Sequence, residues 1–178
     1  KKKMMKKTIY IILFVIGLTY SCQDFEDWNV DEKNPSSIPS DFLVTNAEKN
    51  LFTTMSSTSV NYNIFKLFAQ YWNETQYTDE ANYNIRGRDI GGNFFLYLYR
   101  DVLNDLKEAQ RLVDEDSSLN QNLKTSQSGV LEILQIYTWH VLVDTYGNIP
   151  YTDALQGIDN LTPVYDEDAD IYMDLFNR

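Results

Sequence analysis

Residues 71–84 read YWNETQYTDEANYN. Rings recur here among amides and acids: Tyr71, Trp72, Tyr77 and Tyr83 beside Asn73, Glu74, Asp79 and Asn84. Recognition of a sugar needs both types. A ring face packs against the C–H face of a pyranose, and amides or carboxylates take its hydroxyls. Such groups sit on loops held by a rigid frame. The residues singled out for ligand binding are Trp72, Asn73, Tyr77, Asp79, Tyr83 and Asn84. The competing reading makes Tyr71 and Trp72 core rings at a helix end and the remainder a polar loop.

Other chemistry-bearing residues point nowhere. Glu74, Asp79 and Glu80 are the carboxylates from which a glycosidase pair would be drawn, but sequence does not fix their separation. No G-x-S-x-G, H-E-x-x-H or P-loop is present. His140 is the single histidine, has no Ser, Cys or metal partner at motif spacing, and is read as structural. Asp166-Glu-Asp168-Ala-Asp170 has the look of a calcium loop, but an EF-hand needs Gly at its sixth place and Glu at its twelfth, where Ile171 and Asn177 stand. Acids opening a helix need no metal. The expectation is a binding protein without catalytic residues, metal or cofactor.

The single cysteine, Cys22, follows a basic head (Lys1, Lys2, Lys3, Lys6, Lys7) and the uncharged run IYIILFVIGLTY, Ile9 to Tyr20. That run is too short to span a bilayer and reads as a secretory signal peptide. Ser21 before Cys22 fits a bacterial lipobox, in which cleavage precedes the cysteine and the thiol carries lipid; Tyr20 stands where a small residue is more usual. The plainer reading is an ordinary signal peptide with an incidental cysteine, or a short N-terminal anchor. Acylation gives a lone exported thiol a purpose. The expected organisation is a signal peptide over 1–21, a lipidated acidic tether and loop over 22–40, and a helical domain over 41–178. Asp24, Glu26 and Asp27 directly behind Cys22 are similar to the acidic signal that marks some Gram-negative lipoproteins for the outer face of the outer membrane.

The whole chain has 15 basic and 26 acidic residues. Without residues 1–21 it loses five lysines and no acid, which leaves a formal charge of −16. That argues against nucleic acid and against an anionic membrane surface as partners. Aromatics are 14% of residues, enough to serve both a core and a ligand surface.

The frame is read as all-α. Ser40 is placed as N-cap of a helix over 41–55, with Phe42, Leu43, Asn46, Ala47, Asn50 and Leu51 at helical spacing. A second helix is expected over 59–73, with Ile64, Phe65, Leu67, Phe68, Tyr71 and Trp72 as its stripe. A loop follows over 75–92, then a helix over 93–115 bearing Phe94, Tyr97, Leu98, Val102, Leu106, Ala109 and Val113. A polar link leads to a helix over 126–146, apolar at Val130, Ile133, Leu134, Tyr137, Val141 and Leu142. Gly147 is its stop and Pro150 lies beyond. The last helix opens at Asp170, and the chain, which begins on Lys1, is expected to be the N-terminal part of a longer protein. Helix pairs of this length suggest a tetratricopeptide-like arrangement.

The stretch from Trp139 through YGNIPYTDAL, Tyr146 to Leu155, resembles the SusD/RagB family of outer-membrane nutrient-binding lipoproteins. NVDEKNP (Asn29 to Pro35) with Ile38-Pro39, Tyr71-Trp72 followed by YTDEANYN, and TPVYDEDADIYMDLF (Thr162 to Phe176) are similar to further family segments. The resemblance implies a tetratricopeptide-like helical body anchored by lipid at the cell surface. It implies a role in capping a SusC-like, TonB-dependent β-barrel and delivering ligand to it. It implies oligosaccharide ligands, or peptides in some branches, and no enzymatic activity. A hydrolase whose catalytic part lies elsewhere is the reading from a different class.

Overall fold

A computed structural model describes residues 38–178. Cys22, the signal-peptide segment and the acidic tether lie outside the described residues.

The first helix, α1, runs Ser40–Ser56 and buries Ala47, Leu51 and Thr54, one face at helical spacing. Ser40 is not its cap. Pro39 occupies the N-cap position, Ser40 is already helical, and no side chain caps this end. Proline preceding the first turn fixes φ and loses only an N–H that the helix would leave unpaired. Phe42, expected on the core face, is exposed.

The second expected helix is cut to one turn, α2, Phe65–Phe68. Gln70 ends it in a left-handed conformation, φ 57°. The Tyr71 N–H bonds the Lys66 carbonyl and the Gln70 N–H bonds the Leu67 carbonyl, the two bonds of a Schellman stop. The chain therefore leaves the helical path just before Tyr71 and Trp72. Residues preceding α2 are pinned too: buried Asn63 donates to the Met55 carbonyl and accepts the Phe65 N–H.

The third helix starts at Ile90, earlier than its sequence pattern suggests, because Asp89 caps it by accepting the Gly92 N–H at 2.9 Å. It comprises α3 (Ile90–Leu96), a π-helical segment (Tyr97–Leu103) and α4 (Asn104–Glu115). The widening has a cause in the sequence. Phe94, Leu98, Val102 and Leu106 are all buried and recur every fourth residue. In a 3.6-residue helix each such step drifts about 40° around the axis. A wider π segment absorbs the drift and keeps all four side chains on the core face, with Leu103 buried beside Val102.

Helix α5 runs Gln121–Tyr146, capped by Asn120, which accepts the Leu123 N–H at 3.0 Å. The stretch expected to be a link thus supplies its first turn. Its buried face is Leu131, Thr138, Trp139, Leu142 and Val143, while Val130, Ile133 and Tyr137 are exposed. The helix is apolar on more than one face, so the expected stripe is only half right: Leu142 is buried and Leu134 and Val141 pack against the core, but the other three face solvent. Gly147, φ 72°, stops it with its N–H on the Val143 carbonyl. Last comes α6, Asp168–Asn177, burying Ile171 and Leu175.

The helices pack in sequence: α1 on the π segment and α4, α4 on α5, α5 on α6. One core unites them through Leu51, Leu98, Leu106, Leu142, Ile149 and Ile171. Each fully buried leucine contributes about 2 kcal/mol by removal from water. Among the described residues there is no strand, only one isolated bridge between Ile149 and Asp166. The all-α expectation holds. No described helix is long and apolar enough to cross a membrane.

Candidate functional site

Between the Schellman stop at Gln70 and the cap at Asp89 the chain forms an irregular loop of turns. Four of its rings stand in solvent: Tyr71 85% exposed, Tyr77 86%, Trp72 52% and Tyr83 52%. The reading that buried Tyr71 and Trp72 in a core is overturned, and the physical reason is the early helix stop.

The loop is held from inside. Glu80 is 2% exposed, and its Oε1 accepts from Arg88 Nε at 2.7 Å and pairs with Nη2 at 2.5 Å. Arg88 Nη1 also donates to Asn61 Oδ1 at 3.3 Å, tying the loop to the segment before α2. A buried carboxylate needs such a partner, since desolvation of a lone charge is costly. Glu80 is therefore an internal anchor rather than half of a solvent-facing catalytic pair. Tyr77 and Tyr83 adopt left-handed φ of 57° and 60°. For non-glycine residues that conformation costs about 1–2 kcal/mol and persists only where the surroundings impose it.

The six residues singled out from the sequence fall into distinct places. Asp79 and Asn84 come together: Asn84 Nδ2 donates to Asp79 Oδ1 at 3.1 Å, and the Asn84 N–H to the Asp79 carbonyl at 2.8 Å. Tyr83 packs on Phe68 with centroids 5.4 Å apart, donates its hydroxyl to the Phe68 carbonyl at 2.9 Å, and accepts from Gln70 Nε2. Trp72 carries the Lys66 ammonium 5.3 Å from its ring centre. That ammonium also donates to the Ser56 and Ser57 carbonyls at the end of α1. Asn73 turns its oxygen to the Glu74 N–H. Tyr77 projects freely.

Beside this loop lies a cavity of about 300 Å³. Tyr62, Phe65, Phe68, Ile85, Phe94 and Tyr146 form much of its wall, with Arg88 and Asp89 the charged residues in its lining. None of the six singled-out residues lines it; Tyr83 touches it only through Phe68. The wall comes from separate stretches of chain whose rings read locally as helix core, so no single motif announces it. Asp89 as an N-cap three residues before Gly92 was the nearest available signal. Tyr146 donates its hydroxyl to the Gly91 carbonyl at 2.5 Å, and burial pushes its pKa up to about 12. It remains a neutral donor at every physiological pH.

Below α5 the YGNIPYT segment forms a joint. Asn148 Oδ1 accepts the Asp168 N–H opening α6, and the Pro150 carbonyl accepts the Tyr99 hydroxyl at 2.6 Å. Tyr99 stacks on Phe95 and meets Trp139 edge-on, and Trp139 in turn meets Tyr151. Burial raises the Tyr99 pKa strongly, keeping its hydroxyl a donor. His140 lies at the surface, 3.3 Å from Asp144 one turn on along α5 and edge-on to Tyr172 of α6, a local contact rather than a ligand set.

With this geometry, residues 32–178 match the SusD-like family, described as starch-binding associating with outer membrane. The chain belongs to the SusD-like family. No curated protein matches it. Membership places this SusD-like chain in a family of glycan-binding proteins associated with the outer membrane.

Proposed function

We propose that this SusD-like chain is a cell-surface lipoprotein that captures oligosaccharide and hands it to a SusC-like, TonB-dependent transporter. The observation that carries the reading is the exposure of Tyr71, Trp72, Tyr77 and Tyr83 on a loop anchored by the buried Glu80–Arg88 pair. Exposed rings on a held loop offer stacking faces at low ordering cost, and Asp79 and Asn84 offer polar atoms beside them. In this account Trp72, Asn73, Tyr77, Asp79, Tyr83 and Asn84 contact the sugar. Residues 1–21 act as the export signal, Cys22 carries the lipid, residues 22–40 form the tether and residues 41–178 the SusD-like helical domain. The acidic surface keeps that domain off an anionic membrane.

Electrophoresis of the whole protein through a starch-containing gel tests capture. Retardation supports the reading. Unchanged mobility in starch together with binding of a peptide pool transfers the site to peptides, and cleavage of the starch would make the protein a hydrolase. Replacing Cys22 with Ser is expected to abolish incorporation of labelled fatty acid and to release the protein from the membrane fraction.

A further inference from the structure

The cavity beside the loop differs in chemistry from the loop itself. Its walls are chiefly rings and isoleucines, among them Phe65, Phe68, Phe94 and Ile85. Both charges in its lining are engaged. Arg88 is committed to Glu80 and Asn61, and Asp89 to the Gly92 N–H. An anion entering here would lose water and find the one cation of the lining already paired with Glu80. A bare pyranose carries hydroxyls around its ring and would leave most of them facing apolar wall. An uncharged flat ring meets neither penalty and gains edge and face contacts with the surrounding aromatics. The size agrees: an engineered apolar cavity of about 150 Å³ takes up benzene, and this one is about 300 Å³ and open to solvent on one side.

We propose that the cavity receives an uncharged aromatic group carried on the sugar, as an aryl ester or aryl ether, while the loop rings receive the sugar itself. This rests on the glycan-capture reading and narrows it to aryl-substituted oligosaccharides. Phe68 is the hinge between the two parts, since it lines the cavity and packs on Tyr83 of the loop.

Gly91 gives a test that leaves the fold intact. It lies in α3 and lines the cavity, and a Cβ added there meets no atom within 4 Å. Gly91→Leu therefore adds bulk at a lining position whose Cβ meets no neighbour, and with a better helix former. Ile85→Asp, at an exposed lining position, introduces a charge by a second route. Calorimetry on the whole protein compares p-nitrophenyl maltoside with methyl maltoside, and N-acetyl-phenylalanine amide as a ring without sugar. The aryl maltoside is expected to bind at least about tenfold tighter than the methyl glycoside, a difference of about 1.4 kcal/mol. That ratio is expected to fall towards one in both variants. Equal affinities in the parent protein, or a ratio that survives Gly91→Leu, overturn the proposal. So does an amide that binds as tightly as the aryl maltoside, because the ring then needs no sugar. Loss of methyl maltoside and starch binding together is a different result, which removes the glycan reading as well.

Discussion

Asp166 holds Thr152 twice: the Thr152 N–H reaches Oδ2 at 2.9 Å and its hydroxyl reaches Oδ1 at 2.9 Å. The Tyr151 N–H shares Oδ2, also at 2.9 Å. The Asp166 N–H in turn bonds the Ile149 carbonyl, closing the joint between α5 and α6. Partial burial acts to raise the Asp166 pKa, but the N–H groups of Thr152 and Tyr151 and the Thr152 hydroxyl outweigh it, and the carboxyl sits below its usual value. A depressed folded-state pKa means that the stabilisation is fully present above the unfolded value of about 3.9 and is lost as pH falls through the lower folded value. Asp166→Ala is expected to cost about 1–2 kcal/mol at neutral pH. Urea midpoints measured from about pH 6 to about pH 2 should show parent and variant converging at the acid end. Parallel curves over that range would remove the clamp.

Two adjacent glycines in α3 should respond differently to one substitution. At Gly91 a methyl group meets open space, so Gly91→Ala is expected to stabilise by about 0.5–1 kcal/mol. At Gly92 the methyl group falls on the Asp89 carboxylate that caps the helix. The cap then has to move, at a cost of about 1 kcal/mol, which cancels the helix gain. Thermal melts of the two variants, read against Asp89→Ala as the uncapped reference, distinguish the sites. A Gly92→Ala variant as stable as Gly91→Ala would show that the cap contributes nothing.

The Glu80–Arg88 pair is asymmetric in burial, 2% against 45% side-chain exposure. Losing Arg88 strands a buried carboxylate, whereas losing Glu80 leaves a guanidinium that water can reach. Arg88→Ala is therefore expected to cost about 3 kcal/mol or more, and Glu80→Ala distinctly less. Denaturant unfolding of both variants checks the order. The double variant should recover much of the Arg88→Ala loss, because the stranded charge is gone.

Gln70 terminates α2 at φ 57°, a conformation that glycine adopts without penalty. Gln70→Gly is expected to stabilise by about 0.5–1 kcal/mol, reduced by the loss of the exposed Gln70–Tyr83 side-chain bond. A melting temperature below that of the parent would mean that this bond, rather than the backbone turn, holds the loop.

The helices were legible wherever a single face was apolar and a stop residue was conventional. Gly147 ended α5 as its position suggested, and Leu98, Val102, Leu106, Ala109 and Val113 all went to the core. The sequence misled at Gln70, where the Schellman stop used a residue with no special propensity for it. It misled again along α5, where Val130, Ile133 and Tyr137 present a second apolar face to solvent. The π segment was latent in the strict fourth-residue spacing from Phe94 to Leu106. At the candidate site the ring-and-amide tract was visible because it is contiguous. The cavity was not, because its wall is assembled across Tyr62, Phe94 and Tyr146, and only tertiary contact brings them together.

The central claim is that the exposed rings of the loop capture sugar. The most direct measurement is calorimetric titration of the whole protein with maltoheptaose, alongside the Trp72→Ala, Tyr77→Ala double variant. Both positions are exposed, so the fold should survive, and an unchanged melting temperature confirms that it has. Saturable binding by the parent, weakened about tenfold or more in the variant, is the predicted result, since two stacking faces at about 0.5–1.5 kcal/mol each are removed. Binding of equal strength with both rings gone would contradict the account.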